Sequence, residues 1–144
     1  MDDLEIGRRL AAWFPGVTVL TANGDSFFVY DPDRDLPPER QMPFLTIVTS
    51  DAYDQDSQLD RPGVYRLNIG LTKATYTSLF SDAAAEWDYA ALDEVMPHPV
   101  YAPQYWVCVL NPSEATLEQL RPLLTEAYDF AVRKYANFRE RHRA

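Results

Sequence analysis

Residues 96–128 read MPHPVYAPQYWVCVLNPSEATLEQLRPLLTEAY, and the fold turns on how this stretch is divided. Residues 104–110 are aromatic or β-branched with almost no charge, which suits a strand at the centre of a sheet. Asn111-Pro112 stops that ladder. Asn111 is placed as an N-cap, with Pro112 at the first helical position and Glu114 three residues on, and Thr116 with Gln119 offers a second capping box one turn later. Beyond it Leu117, Leu120, Leu124, Ala127, Tyr128, Ala131, Tyr135 and Phe138 recur at spacings of three and four, one apolar stripe about six turns long. A stripe of that length requires a sheet to lie on.

Working outward, residues 2–14 predict a first helix, with acidic Asp2, Asp3 and Glu5 where the helix dipole favours them and Pro15-Gly16 as its stop. Strands are expected over 17–22 and 26–30, joined by the hairpin dipeptide Asn23-Gly24, and again over 44–50 and 64–71. The intervening segments 31–43 and 51–63 are acidic and turn-rich and read as exposed loops. Thr72 caps an expected short helix over 73–80, and Trp87, Ala91, Leu92 and Val95 predict another over 87–96, ended by Pro97. This order gives one α+β domain over 1–144: a mostly antiparallel five-stranded sheet with the N- and C-terminal helices packed on one face.

With 144 residues and 47% hydrophobic content, the chain can bury a real core without metal or disulfide staples, and it carries a single cysteine. A formal charge of −9 and a pI near 4.5 disfavour nucleic acid and anionic membranes as partners. Residues 130–144 reverse that sign locally with Arg133, Lys134, Arg139, Arg141 and Arg143, which reads as favourable charge at a helix C-terminus with a solvated end, the alternative being a partner-binding patch. No apolar leader or membrane-spanning run is present, so a cytoplasmic location is expected.

The segments VYAPQYWVCVLNPSEATLEQLRPLLTEAYDFA, FPGVTVLTANGDSFFVYDP, PFLTIVTSD and RPGVYRLNIGL together resemble a family of small actinobacterial proteins labelled a domain of unknown function, over nearly the full length. More distantly, the closing strand, turn and helix with the pair Ala127-Tyr128 are similar to the MmcQ/YjbR-like group. That likeness implies a sandwich resembling frataxin and CyaY. It also implies a DNA-binding role, for which this sequence lacks basic strands and loops.

Alternation over 64–69 puts Arg66 and Asn68 on the face opposite Tyr65, Leu67 and Ile69. If helices cover the second set, Arg66 and Asn68 stand on an open face, where a guanidinium beside a carboxamide can hold a carboxylate or phosphate. The plainer alternative is a structural ion pair between Arg66 and an acidic loop. His98, flanked by Pro97 and Pro99 and near Tyr101 and Trp106, can sit at a pocket mouth as acid, base or hydrogen-bond partner; alone, it more simply satisfies backbone groups. Cys108 alternates with Trp106 and Leu110 and reads as a core residue. Asp31, Asp33 and Asp35, and Asp54, Asp56, Gln58 and Asp60, have calcium-loop spacing but lack the glycine and glutamate such loops need, so no metal is expected. Lys73, at the start of the short helix, is a lone cation that can meet an anion.

Tyr30, Tyr53, Tyr65, Tyr76, Tyr89, Tyr101 and Tyr105, with Trp87 and Trp106, exceed what a small core needs to conceal, which points to a cleft or an oligomer interface such as a homodimer; the competing reading is a Tyr-rich core with the hydroxyls at its edge. The leading expectation is therefore a binding domain for a small aromatic or anionic molecule, or a protein partner, with Arg66, Asn68, His98, Tyr101 and Trp106 lining the site. The alternative is a small enzyme of secondary metabolism, independent of any cofactor, with His98 as acid or base. DNA binding is a third reading, disfavoured by charge.

Overall fold

A computed structural model describes residues 1–81 and 85–142. The elements, in order, are α1 (Asp3–Trp13), β1 (Val17–Ala22), β2 (Asp25–Tyr30), β3 (Leu45–Val48), β4 (Arg66–Gly70), α2 (Lys73–Leu79), β5 (Met96–Pro97), β6 (Trp106–Leu110) and α3 (Glu114–Arg141). The strands form one antiparallel sheet in the order β1-β2-β3-β4-β6-β5. It has six strands where five are expected, because the two-residue β5 pairs with β6 through Met96 opposite Cys108 and Pro97 opposite Val107.

Register separates the two faces. Leu45 lies opposite Ile69, Ile47 opposite Leu67 and Leu67 opposite Val109, so these side chains share one surface. On it pack Ile6 and Leu10 of α1 and Leu117, Leu120, Leu124 and Ala127 of α3, all buried in one cluster. The expected one-sided helical layer is present. Each such aliphatic side chain contributes about 1.5–3 kcal/mol when fully removed from water, which is why two amphipathic helices suffice to fix the layer.

Local chemistry sets the helix ends. Asp2 caps α1, its Oδ1 accepting from the Glu5 amide at 2.8 Å. Gly16 follows at φ 80°, where a Cβ would come within 2.8 Å of the Tyr30 ring, so the turn into β1 requires glycine. Pro122 lies inside α3 and cannot donate to the carbonyl of Glu118, but both residues are exposed and water can serve that carbonyl.

Three expectations are corrected. The cap of α3 is Ser113, whose Oγ accepts from the Thr116 amide at 3.2 Å, and not Asn111. Asn111 sits at φ 42°, its side chain accepting from the Tyr65 amide at 3.1 Å and donating to the Gly63 carbonyl at 2.8 Å, and so ties the end of β6 to the start of β4. The helix expected over 87–96 does not form. Asp93 takes φ 59°, Leu92 makes a bridge to Leu110, and the segment ends as β5. Finally, the sheet face bearing Arg66 and Asn68 is not open: Val48, Leu59, Met96, Cys108 and Leu110 form a second buried cluster there, with Trp87 and Tyr89 packed against it.

Candidate functional site

Arg66 and Asn68 stand on one face of β4, but inside the protein, 1% and 3% exposed. The guanidinium of Arg66 donates to both oxygens of Asp54, Nη1 to Oδ1 at 3.0 Å and Nη2 to Oδ2 at 2.7 Å. Its Nη1 also reaches the Ser57 hydroxyl at 2.9 Å, and its Nε donates to Asn68 Oδ1 at 2.9 Å. Asn68 Nδ2 passes the chain on to Thr46 Oγ1 at 3.0 Å. Beside this guanidinium the Asp54 carboxyl is held below the usual carboxylate range, against the opposing pull of its partial burial. With the donor fork bonded to Asp54, Ser57 and Asn68, the pair is the structural ion pair.

His98 is 2% exposed. Its Nδ1 accepts from the amides of Val100 and Tyr101, each at 3.0 Å, which assigns the proton of the neutral ring to Nε2. Burial, reinforced by the positive charge of Arg66, pushes its pKa down to about 4. A neutral imidazole with Nδ1 bonded to the backbone and a hydrogen on Nε2 has no free lone pair with which to act as a base. Tyr101 is exposed at the surface, its ring 5.0 Å from that of His98. Cys108 is fully buried, and burial pushes its thiol up to about 12, far from a thiolate nucleophile.

Trp106, the last of the five residues expected at the site, lies elsewhere. Its half-buried indole covers Gly70, where a Cβ would stand 3.0 Å from the ring, and it lines a cleft of about 530 Å³. That cleft opens where β4 ends and β6 begins, between the C-terminal half of α3 and residues 36–44. Its lining includes the buried Phe44, Leu71 and Ala127 and the half-buried Tyr30, Tyr105, Phe130, Tyr135 and Phe138. Four cations also line it: Arg40 from the 3-10 turn Pro38–Arg40, Lys73 from α2, and Lys134 and Arg141 from α3. Among the described residues no aspartate or glutamate does.

Three acids of residues 31–43, Asp31, Asp33 and Asp35, have partners of their own. Asp31 Oδ1 accepts from the amides of Asp35 and Leu36, Asp33 accepts from the Tyr135 hydroxyl at 3.0 Å, and Asp35 pairs with Arg139. These contacts hold the loop against α3. Arg40 lies over the Phe138 ring at 4.7 Å and Lys134 over Phe130 at 4.7 Å, so two of the cations rest on aromatic faces. Among the described residues none of the four has a carboxylate within ion-pair distance, whereas Arg9, Arg66, Arg121 and Arg139 each do. No group of three or more possible metal ligands occurs among the described residues, and no described helix is long and apolar enough to cross a membrane.

Sequence reasoning passed over Arg40, Lys134 and Arg141 as a loop residue and a charged helix end. A usable signal was the length of α3. At 28 residues it spans about 42 Å, and its buried residues end at Ala127, so its last turns extend beyond the core that buries the first half.

Neither the curated proteins nor the solved structures yield a match to this chain. A family model described as a family of unknown function, DUF6194, matches residues 1–141. With the match running from α1 to the last turn of α3 and so including every residue of the cleft, the chain belongs to that family of unknown function.

Proposed function

We propose that this chain is a binding domain for a small molecule both aromatic and anionic, held in the cleft between α3 and residues 36–44. One observation carries the reading: in a protein of net charge −9, four cations from three separate elements line one aromatic cleft that, among the described residues, no carboxylate shares. Its volume falls within the range of small-molecule sites, roughly 300–1,000 Å³. Trp106 supplies a flat wall for the ligand's ring. Arg66, Asn68 and His98 act behind it, fixing β4 and the turn at 98–101, while Tyr101 covers that turn.

The enzyme alternative needs a free imidazole, and His98 is bonded on one nitrogen and protonated on the other. For a protein partner or a second copy, a deep cleft is a poorer fit than a flat apolar patch. Similarity to the MmcQ/YjbR-like group is supported by the shared closing order of strand, turn and helix, and we extend no DNA-binding role from it.

The test is a screen of small aromatic acids by amide chemical-shift mapping on isotope-labelled protein. Binders should shift residues 70–73, 104–106 and 130–141 together, and Trp106→Ala with Lys134→Ala should abolish those shifts. A screen in which no aromatic acid moves that set, or in which the double variant responds like the parent, rejects the proposal.

A further inference from the structure

Resting on the cleft reading above, we infer that the anionic part of the ligand is a phosphate monoester carried on a flat ring. The charge set of the cleft is unbalanced to an unusual degree. Among the described residues, Arg40, Lys73, Lys134 and Arg141 face no acidic lining residue, so a monocarboxylate would leave most of that positive charge unmatched. A phosphate monoester is largely a dianion near neutral pH, because its second pKa is about 6, and it offers three acceptor oxygens.

The cations are also suitably spread for such a group. Lys134 and Arg141 are seven residues apart on α3, nearly two turns, and so lie along one side of the helix about 10 Å apart. Lys73 and Arg40 reach the same space from α2 and from the turn at 38–40. Arginine supplies a planar donor fork matched to phosphate, and lysine a compact point charge. Arg40 and Lys134 rest on Phe138 and Phe130, which restrains them before any ligand arrives. For the ring, Trp106 and Tyr105 provide flat surfaces, and the amides of Gln104 and Asn137 provide neutral hydrogen-bonding groups.

Titration calorimetry at pH 7.5 with phenyl phosphate and benzoate, two probes sharing one ring, tests this. Phenyl phosphate should bind at least about tenfold more tightly than benzoate, since charge-assisted bonds to a dianion are the stronger. Lys73→Gln and Arg141→Gln should each weaken phenyl phosphate by roughly tenfold and benzoate by less. Arg8→Gln, the same charge change at an exposed site on α1, should leave both probes unaltered. Benzoate binding as tightly as phenyl phosphate, or Arg8→Gln weakening the phosphate as much as Arg141→Gln, overturns the phosphate assignment and leaves the cleft standing. If neither probe binds, the cleft reading falls and the phosphate assignment with it. All three positions are exposed side chains, and thermal melts of each variant establish that the fold is retained.

Discussion

His98 accepts two backbone amides through Nδ1, much as an Asx turn does through a side-chain oxygen, and this bond pattern fixes its charge state. In the unfolded chain it takes a proton near 6.5, whereas in the fold burial holds it neutral to about 4. Between those two values the unfolded chain binds the additional proton, so stability is complete above about 6.5 and falls as the pH drops toward 4, by up to roughly 3 kcal/mol. Asp54 acts in a separate window. Its folded pKa lies below the ordinary 3.8, so its contribution is present above that value and is lost only as the pH falls further. His98→Asn keeps an acceptor for the amides of Val100 and Tyr101 and cannot titrate. Urea unfolding from pH 7.5 to 3 should therefore show the upper limb flattened and the lower limb intact, and an unchanged slope between 6.5 and 4 contradicts this account of His98. Arg66 yields a second expectation. Asp54→Ala leaves its guanidinium buried and unpaired, costing about 3–5 kcal/mol, while the apolar double variant Arg66→Met/Asp54→Leu costs less than Asp54→Ala alone. Equal losses from the two would mean that the guanidinium is not desolvated.

At the scale of elements, the period of a segment was legible and its tertiary commitments were not. The hairpin at Asn23-Gly24, the alternation of β4 and the stripe of α3 each rest on local spacing; the first two formed as read, and the stripe packs on the core from Leu117 to Ala131 while Tyr135 and Phe138 line the cleft. Asn111 and Ser113 are both competent N-caps, and the choice between them is made from outside the segment. Asp93, from a different loop, accepts from the Ser113 amide at 2.8 Å, while the Asn111 side chain is claimed by Tyr65 and Gly63. The segment 87–96 failed for a related reason. A helix would set Trp87 and Val95 on one stripe, but Trp87 packs in the second cluster and Val95 against the first, and only a non-helical course serves both. Substitutions separate the two roles at the start of α3. Ser113→Ala should cost about 1 kcal/mol and Ser113→Gly only a few tenths, the signature of a cap. Asn111→Gly keeps the left-handed backbone but loses both side-chain bonds, so it should cost about 1–2 kcal/mol, and Asn111→Ala more because of its positive φ. If denaturant midpoints show Asn111→Gly to be nearly neutral, Asn111 does not tie the strands.

For the molecule as a whole, the antiparallel sheet and its one-sided helical layer follow from two periods, 2 and 3.6, that any stretch of sequence displays. The covering of the other face has no period. Residues 51–63 read as an acidic exposed loop, yet they bury Leu59 and Ser57 and supply the partner of Arg66, because a single apolar residue in a loop leaves no pattern to detect. The sheet also leaves two free edges, protected unequally. β5 is two residues long and contains Pro97, which cannot donate to a further strand. β1, at the opposite edge, is six residues, VTVLTA, with neither charge nor proline, and its last four residues are exposed. A strand of that composition is a template for pairing with another chain, and heating, which loosens the loops before the sheet, should make it the first point of aggregation. Thr21→Lys adds the missing charge at an exposed edge position, with an expected effect on stability within about 0.5 kcal/mol. Ala12→Lys, on the exposed side of α1, alters the net charge equally and touches no edge. Light scattering during a thermal ramp should therefore show a later onset for Thr21→Lys and no delay for Ala12→Lys, whereas a common delay would trace the effect to net charge and clear β1.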